Sequence, residues 1–213
     1  MARIRSTRDK IVDMSISLLN ARGLQNVTVR DIANQLNISV GNFTYHFPKW
    51  DNLMDEIVDR LMNDLEEMKR KNHLQLSSIL EYVNDIYTLQ VKYIFIFSNF
   101  YLFFLTYPKY KETTIAFVNE RMENMRQSLE LMIKEGYLYP FDKEEHNYDL
   151  VVKNIWVHMS SWCAFSIGLA NNEFSSERDK KGFFLSLWNI CAYHLTEKGL
   201  KTVREAFDKY SWI

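Results

Sequence analysis

Six glycines and three prolines are all the conformational punctuation this 213-residue chain carries. So few breaker residues leave little room for the closely spaced turns of an all-β fold, and long apolar periodicities point to helices throughout. Cysteine is scarcer still. Cys163 and Cys191 both fall inside apolar helical patterns, which argues against a disulfide framework and suits the cytoplasm. The N-terminus has no apolar signal core. The most hydrophobic stretch, YIFIFSNFYLFFLTY at residues 93–107, is too short to span a bilayer and carries Ser98 and Asn99 at its centre. It reads as a buried helix pair with a bend, so no membrane partner is expected. Also missing are a Gly-rich phosphate loop, an H-E-x-x-H run, a tight C-x-x-C pair and any acid to orient a serine beside His158. These absences exclude the commonest catalytic signatures, and neither enzymatic activity nor a metal or cofactor is expected.

What the chain has in abundance is aromatic side chains, at 15% of residues, within an otherwise ordinary 47% hydrophobic and 25% charged composition. The net charge of -1 hides an asymmetry. Residues 1–50 hold seven basic side chains (Arg3, Arg5, Arg8, Lys10, Arg22, Arg30, Lys49) against three acidic ones (Asp9, Asp13, Asp31). A basic N-terminal block on a mildly acidic remainder points one end of the molecule at a polyanion; the bland alternative is a solvated face.

That basic block also carries the clearest helical punctuation. Ile11, Met14, Leu18 and Leu19 form one apolar stripe from about Ser6 to Arg22, which Gly23 stops. Thr28 is placed to cap a second, short helix with Val29, Ile32, Ala33 and Leu36 on one face. Asn37, at ease in the left-handed region, makes the turn. Ser39 caps a third helix in SVGNFTYHFPKW (39–50), where Phe43 and Phe47 share a face and Pro48 ends it or sits in the first turn of the next. Leu53, Ile57, Leu61, Leu65 and Met68 stripe a fourth helix over about Lys49–Lys71. The second and third helices form a helix-turn-helix. A third helix so short gains little from its own hydrogen bonds, but one that enters a DNA major groove by its N-terminal residues is held by packing and by the duplex. Gly41 lets the backbone approach closely. Val40 and Asn42 suit a thymine methyl and an adenine edge, and Thr44, Tyr45, His46 and Lys49 offer donors to phosphate.

The run TVRDIANQLNISVGNFTYHFPKWDNL (28–53) resembles the DNA-binding domain of TetR-family transcriptional repressors. The resemblance covers about residues 8–55 and rests on the Gly23 stop, Thr28-x-Arg30-x-Ile32-Ala33, Ser39-x-Gly41 and Tyr45-His46-Phe47 followed by Leu53. It implies an all-α molecule with an N-terminal helix-turn-helix domain (residues 1–50) and a larger helical ligand-binding and dimerisation domain (51–213), with helix 49–71 as connector. By position, Arg30 would contact a base or phosphate, Val40, Gly41, Asn42 and Tyr45 would face the groove, and Thr28, Thr44 and His46 would lie near phosphates. With Ser39 and Lys49 these make up the expected DNA-binding set. Three positions depart from the usual pattern: Asn37 where glycine is common, Thr44 where tyrosine is usual, and Trp50 where a lysine is usual. The implied function is a homodimeric regulator, released from a palindromic double-stranded operator by a small-molecule effector. The fourth helix would serve as lever. The alternative is a helical carrier or enzyme without a specific DNA role.

The remainder reads as helices over Leu76–Ile94, Asn99–Thr106, Pro108–Glu135, Asn147–Asn171, Glu177–Glu197 and Leu200–Ser211, with Gly136 and Gly199 marking ends and 142–149 a polar loop. Phe100, Phe103 and Phe104, with Trp156, Met159 and Trp162, are candidate walls of an apolar pocket; the competing reading is plain core. Cys191, His194, His158 and Cys163 could be drawn as a metal quartet, but no acidic partner accompanies them. Helices 147–171 and 177–197 are apolar nearly all round. Such helices are buried twice, and pairing with a second copy about a two-fold axis is the natural answer.

Overall fold

The computed structural model describes residues 6–71, 79–169 and 176–207, and the described residues are helical with no strand longer than an isolated bridge. They form two compact units. The first, the head, comprises the chain through Lys69 together with Lys92–Phe95; the second, the body, holds the rest.

The head starts with α1 (Thr7–Arg22), closed at its front by a reciprocal capping box between Ser6 and Asp9. Gly23, at φ 80°, takes the left-handed turn that ends it. Then come α2 (Val29–Gln35), with a second capping box from Thr28 to Asp31, and α3 (Val40–His46), whose first turn is capped by the Ser39 hydroxyl accepting from Asn42 N–H at 3.0 Å. Between them Asn37 has φ 53°. Its N–H reaches Asn34 O and the Ile38 N–H reaches Ala33 O, a Schellman closure. Val12, Leu19, Ile32, Phe43, Phe47, Leu53 and Ile57 close the head's core. α4 (Trp50–Lys71) joins it, and Arg60 ties the two long helices together. Its guanidinium donates to Asp9 at 2.6 Å, to Asp13 at 3.2 Å and to Glu56 at 3.2 Å. Arg8 pairs with the same Glu56.

Two side chains hydrogen-bond residues 92–95 to the rest of the head. Asn20 donates to Lys92 O at 2.8 Å and accepts from Phe95 N–H at 3.2 Å, while Asp64 accepts from the Tyr93 hydroxyl at 2.7 Å and from Lys92. Burial first, then Asp64, pushes the Tyr93 phenol up.

The body is built from α5 (Ile79–Lys92), α6 (Ile94–Phe97), α7 (Phe100–Thr106), α8 (Lys111–Lys134), α9 (Tyr148–Leu169), α10 (Ser176–Cys191) and α11 (Glu197–Phe207). The bend expected in 93–107 lies at Ser98–Asn99, between α6 and α7. Three expected boundaries move. Pro108–Tyr110 is a 3-10 turn before α8, because proline opens rather than continues a helix. The helix expected to reach Glu197 stops at Cys191. A 3-10 turn over Ala192–His194 follows, and Leu195 turns extended to bridge Leu138. Gly199 ends nothing: it is buried in the first turn of α11, packed onto the Tyr137 carbonyl. Residues 72–78, 170–175 and 208–213 lie outside the described residues, so the expected ends at Leu76, Asn171 and Ser211 do too.

Candidate nucleic-acid interface

The head presents one face of α3 to solvent. Phe43 and Phe47 are wholly buried, at 0% and 1% exposure, with rings 6.0 Å apart. They fix the helix angle. Ser39, Val40, Gly41, Asn42, Thr44 and Tyr45 are exposed in the same seven-residue span, Val40 at 42% and Tyr45 at 82%. An apolar valine and a phenol thus stand open to solvent on the helix whose other side seals Phe43 into the core. Thr44 Oγ1 donates to Gly41 O at 3.1 Å and still has lone pairs to offer. The half-buried His46 sets its ring edge-on to Tyr45 at 5.1 Å. Thr28 is exposed but occupied, since its hydroxyl and N–H both serve Asp31.

Charge narrows the footprint. Of the seven basic residues in 1–50, Arg3 and Arg5 lie outside the described residues. Arg8 is bound to Glu56 while its guanidinium covers the Phe47 ring at 4.6 Å, and Arg22 reaches Asp31 at 3.4 Å. Those two are structural. Lys10, Arg30 and Lys49 are exposed without a carboxylate partner among the described residues. The Lys49 backbone N–H is held by Asn52 Oδ1 at 3.1 Å, which starts α4 next to α3's end.

The body contains a separate feature, an apolar cavity of ≈130 Å³ between α5, α8, α9, α10 and α11. Its walls include Val83, Met132, Met159, Leu187, Trp188 and Val203. Of the six expected pocket residues, Met159 lines it and the other five are not among its walls. Phe100 stacks on Phe104 at 5.6 Å, and Phe103 on Tyr110 at 5.9 Å. Trp156 is half-buried. Trp162 packs on His158 and Phe183 and donates to Asp179 at 2.9 Å. The four residues of the candidate metal quartet are engaged separately. His158 Nε2 meets Phe183 O at 3.1 Å, the Cys163 thiol meets Gln90 at 3.4 Å, His194 Nδ1 lies 3.1 Å from His146 Nδ1, and Cys191 lines the cavity. Burial pushes the Cys163 thiol up to about 12, which makes it inert at ordinary pH.

Residues 58–203 match the family model described as TetR, bacterial transcriptional repressor, and residues 11–57 match that described as bacterial regulatory proteins, tetR family. The HTH-type transcriptional repressor KstR2 of Rhodococcus jostii (strain RHA1) is 36% identical over 58 residues, covering 27% of this chain and 28% of that protein. The biofilm operon icaADBC HTH-type negative transcriptional regulator IcaR of Staphylococcus aureus (strain Newman) is 26% identical over 92 residues, 41% of this chain and 50% of the relative. These alignments therefore span half or less of the relatives' lengths. A TetR-family transcriptional regulator from Marinobacter aquaeolei VT8 has the same fold over 96% of this chain and 98% of its own, with TM-score 0.80 and 19% identity. No helix of the described residues is long and apolar enough to cross a membrane.

Proposed function

This chain belongs to the TetR family of bacterial transcriptional repressors, and from that premise we propose that it is a cytoplasmic, homodimeric, effector-responsive repressor that reads double-stranded DNA with α3. The observation that carries the reading is the split face of α3: Phe43 and Phe47 sealed in the core, Val40, Asn42 and Tyr45 open to solvent. Val40 meets a thymine methyl, Asn42 an adenine edge, and Gly41 lets the backbone come close. Ser39, Thr44, Tyr45, His46 and Lys49 serve the phosphates with Arg30 from α2. Thr28 holds α2 in shape through Asp31 and contributes its exposed position. Two copies pair through α9 and α10. Leu150, Val157 and Phe165 lie exposed along one side of α9, and Leu185 is exposed on α10. An open apolar stripe of this kind on a soluble body calls for a covering partner. Two heads on a two-fold axis then read a pseudo-palindrome with half-sites about 34–36 Å apart, or a multiple of that. A small, largely apolar effector in the body favours a state of the dimer whose heads no longer match the groove spacing.

The test is equilibrium binding of the purified protein to a duplex selected from random DNA. Affinity should fall steeply with salt, as phosphate neutralisation demands. Arg30→Ala should weaken binding by about 1–3 kcal/mol if the guanidinium reads a base, and lower the salt slope by about one if it meets a phosphate. Binding that ignores both salt and Arg30 contradicts the reading.

A further inference from the structure

Beside the apolar cavity, not among its walls but on a helix that supplies several of them, stands a buried cation. Arg121 is only 6% exposed, and among the described residues its guanidinium meets no carboxylate. Its Nη2 donates to the Tyr82 hydroxyl at 3.0 Å, and its carbon centre lies 5.8 Å from the Tyr82 ring centroid. Tyr82 is itself a wall of the cavity. On α8, Arg121 stands one turn before Met125, and Met125, Ser128, Leu129 and Met132 line the cavity at i+4, i+7, i+8 and i+11 from it. Arg121 therefore shares the face of α8 that walls the cavity, at its N-terminal end.

A buried cation without a counter-ion is unfavourable, since desolvation of the charge goes unrepaid. A guanidinium cannot escape by losing its proton. It presents a planar fork whose natural complement is a carboxylate. Among the described residues that complement is missing, beside a space lined by hydrocarbon. We propose that the body cavity binds an amphiphilic carboxylate, with its hydrocarbon part among Val83, Met132, Leu187 and Val203 and its carboxylate on Arg121 and the Tyr82 hydroxyl. The volume sets the size. An apolar cavity of about 150 Å³ takes a benzene, so ≈130 Å³ takes a hydrocarbon portion of roughly six carbons. The inference rests on the reading that this cavity is the effector site, and it names the effector's chemical class.

Calorimetric titration of the full chain with hexanoate, octanoate, 1-octanol and octylamine tests it. Octanoate should bind about tenfold or more tighter than 1-octanol, the worth of a hydrogen bond to a charged group. Affinity should rise about fourfold per methylene along the carboxylate series and flatten near octanoate, as the cavity fills. Arg121→Gln should abolish the preference for octanoate while leaving 1-octanol binding in place. If that variant does not fold, the comparison of octanoate with 1-octanol on the unaltered chain decides alone. Equal binding of octanoate and 1-octanol, a preference for octylamine, or no heat with any carboxylate overturns the inference. Octanoate binding that leaves operator affinity unchanged supports the carboxylate site and overturns the effector reading. Release of operator by 1-octanol but not by octanoate overturns the carboxylate site and keeps the effector reading.

Discussion

At Gly199 an added methyl group would land on the Tyr137 carbonyl oxygen and within 2.9 Å of Leu195 Cδ2. The obstruction is backbone, which cannot rotate aside, so Gly199→Ala should destabilise the protein by roughly 1–3 kcal/mol. Chemical denaturation reads this directly, and an unchanged midpoint would refute the close packing. The sequence marks Gly199 as a helix end because the usual local meaning of glycine there is a stop. Its real partner, Tyr137, is sixty-two positions away. Asn37 is the opposite case. Its left-handed turn is legible in the sequence because the demand is local: a short polar side chain tolerates a φ of 53°. The capping residues Thr28 and Ser39 are legible for the same reason, since each closes on a backbone N–H three residues away. Arg121 was not legible. In the sequence it is one more cation on a charged helix, and only its burial against Tyr82 sets it apart.

At the scale of elements, the segment between α8 and α11 is held by a ladder of non-local contacts. Leu138 bridges Leu195, Thr196 N–H donates to Tyr137 O at 3.0 Å, Tyr139 N–H donates to His194 O at 3.1 Å, and His146 faces His194 with Tyr139, Tyr148 and Tyr193 around the pair. Burial, and then the neighbouring His146, hold His194 below the ordinary histidine range; burial holds His158 below it too. Both histidines bind protons less well folded than unfolded. Their contribution is therefore fully present above the unfolded value of about 6.5 and is lost as pH falls through it toward the folded values. The thermal midpoint should drop between about pH 7.5 and about pH 5.5. His194→Gln should flatten part of that drop, and a midpoint that holds or rises on acidification would contradict the assignment. The helices of the head were readable from periodicity alone, because each buries its own stripe. The end of α10 was not, because Leu195 leaves the helix for a partner on another element. Residues 92–95 are hydrogen-bonded to the head by Asn20 and Asp64, polar side chains whose reach no apolar pattern announces.

For the whole molecule, the account requires two copies. Leu150, Val157 and Phe165 leave an open apolar stripe for a second copy to cover, and on the proposed reading the α3 face of one head alone offers too few base contacts to select a site in a genome. Val157 is 61% exposed, so a charge there should leave the fold intact and split the pair. Val157→Glu should sediment as a folded monomer, with helical content unchanged and operator affinity reduced by at least tenfold, since each head then binds without its linked neighbour. The sequence shows that α9 and α10 are apolar on more than one side. It does not show which side faces inward, and that assignment comes from burial. The most direct measurement is the number of chains bound to the selected duplex, by sedimentation of the protein–DNA complex with the unaltered chain and with Val157→Glu. The account predicts two chains on a palindrome whose half-sites lie about one helical turn or a multiple apart, and loss of that complex in the variant. One chain per duplex at full affinity would contradict it.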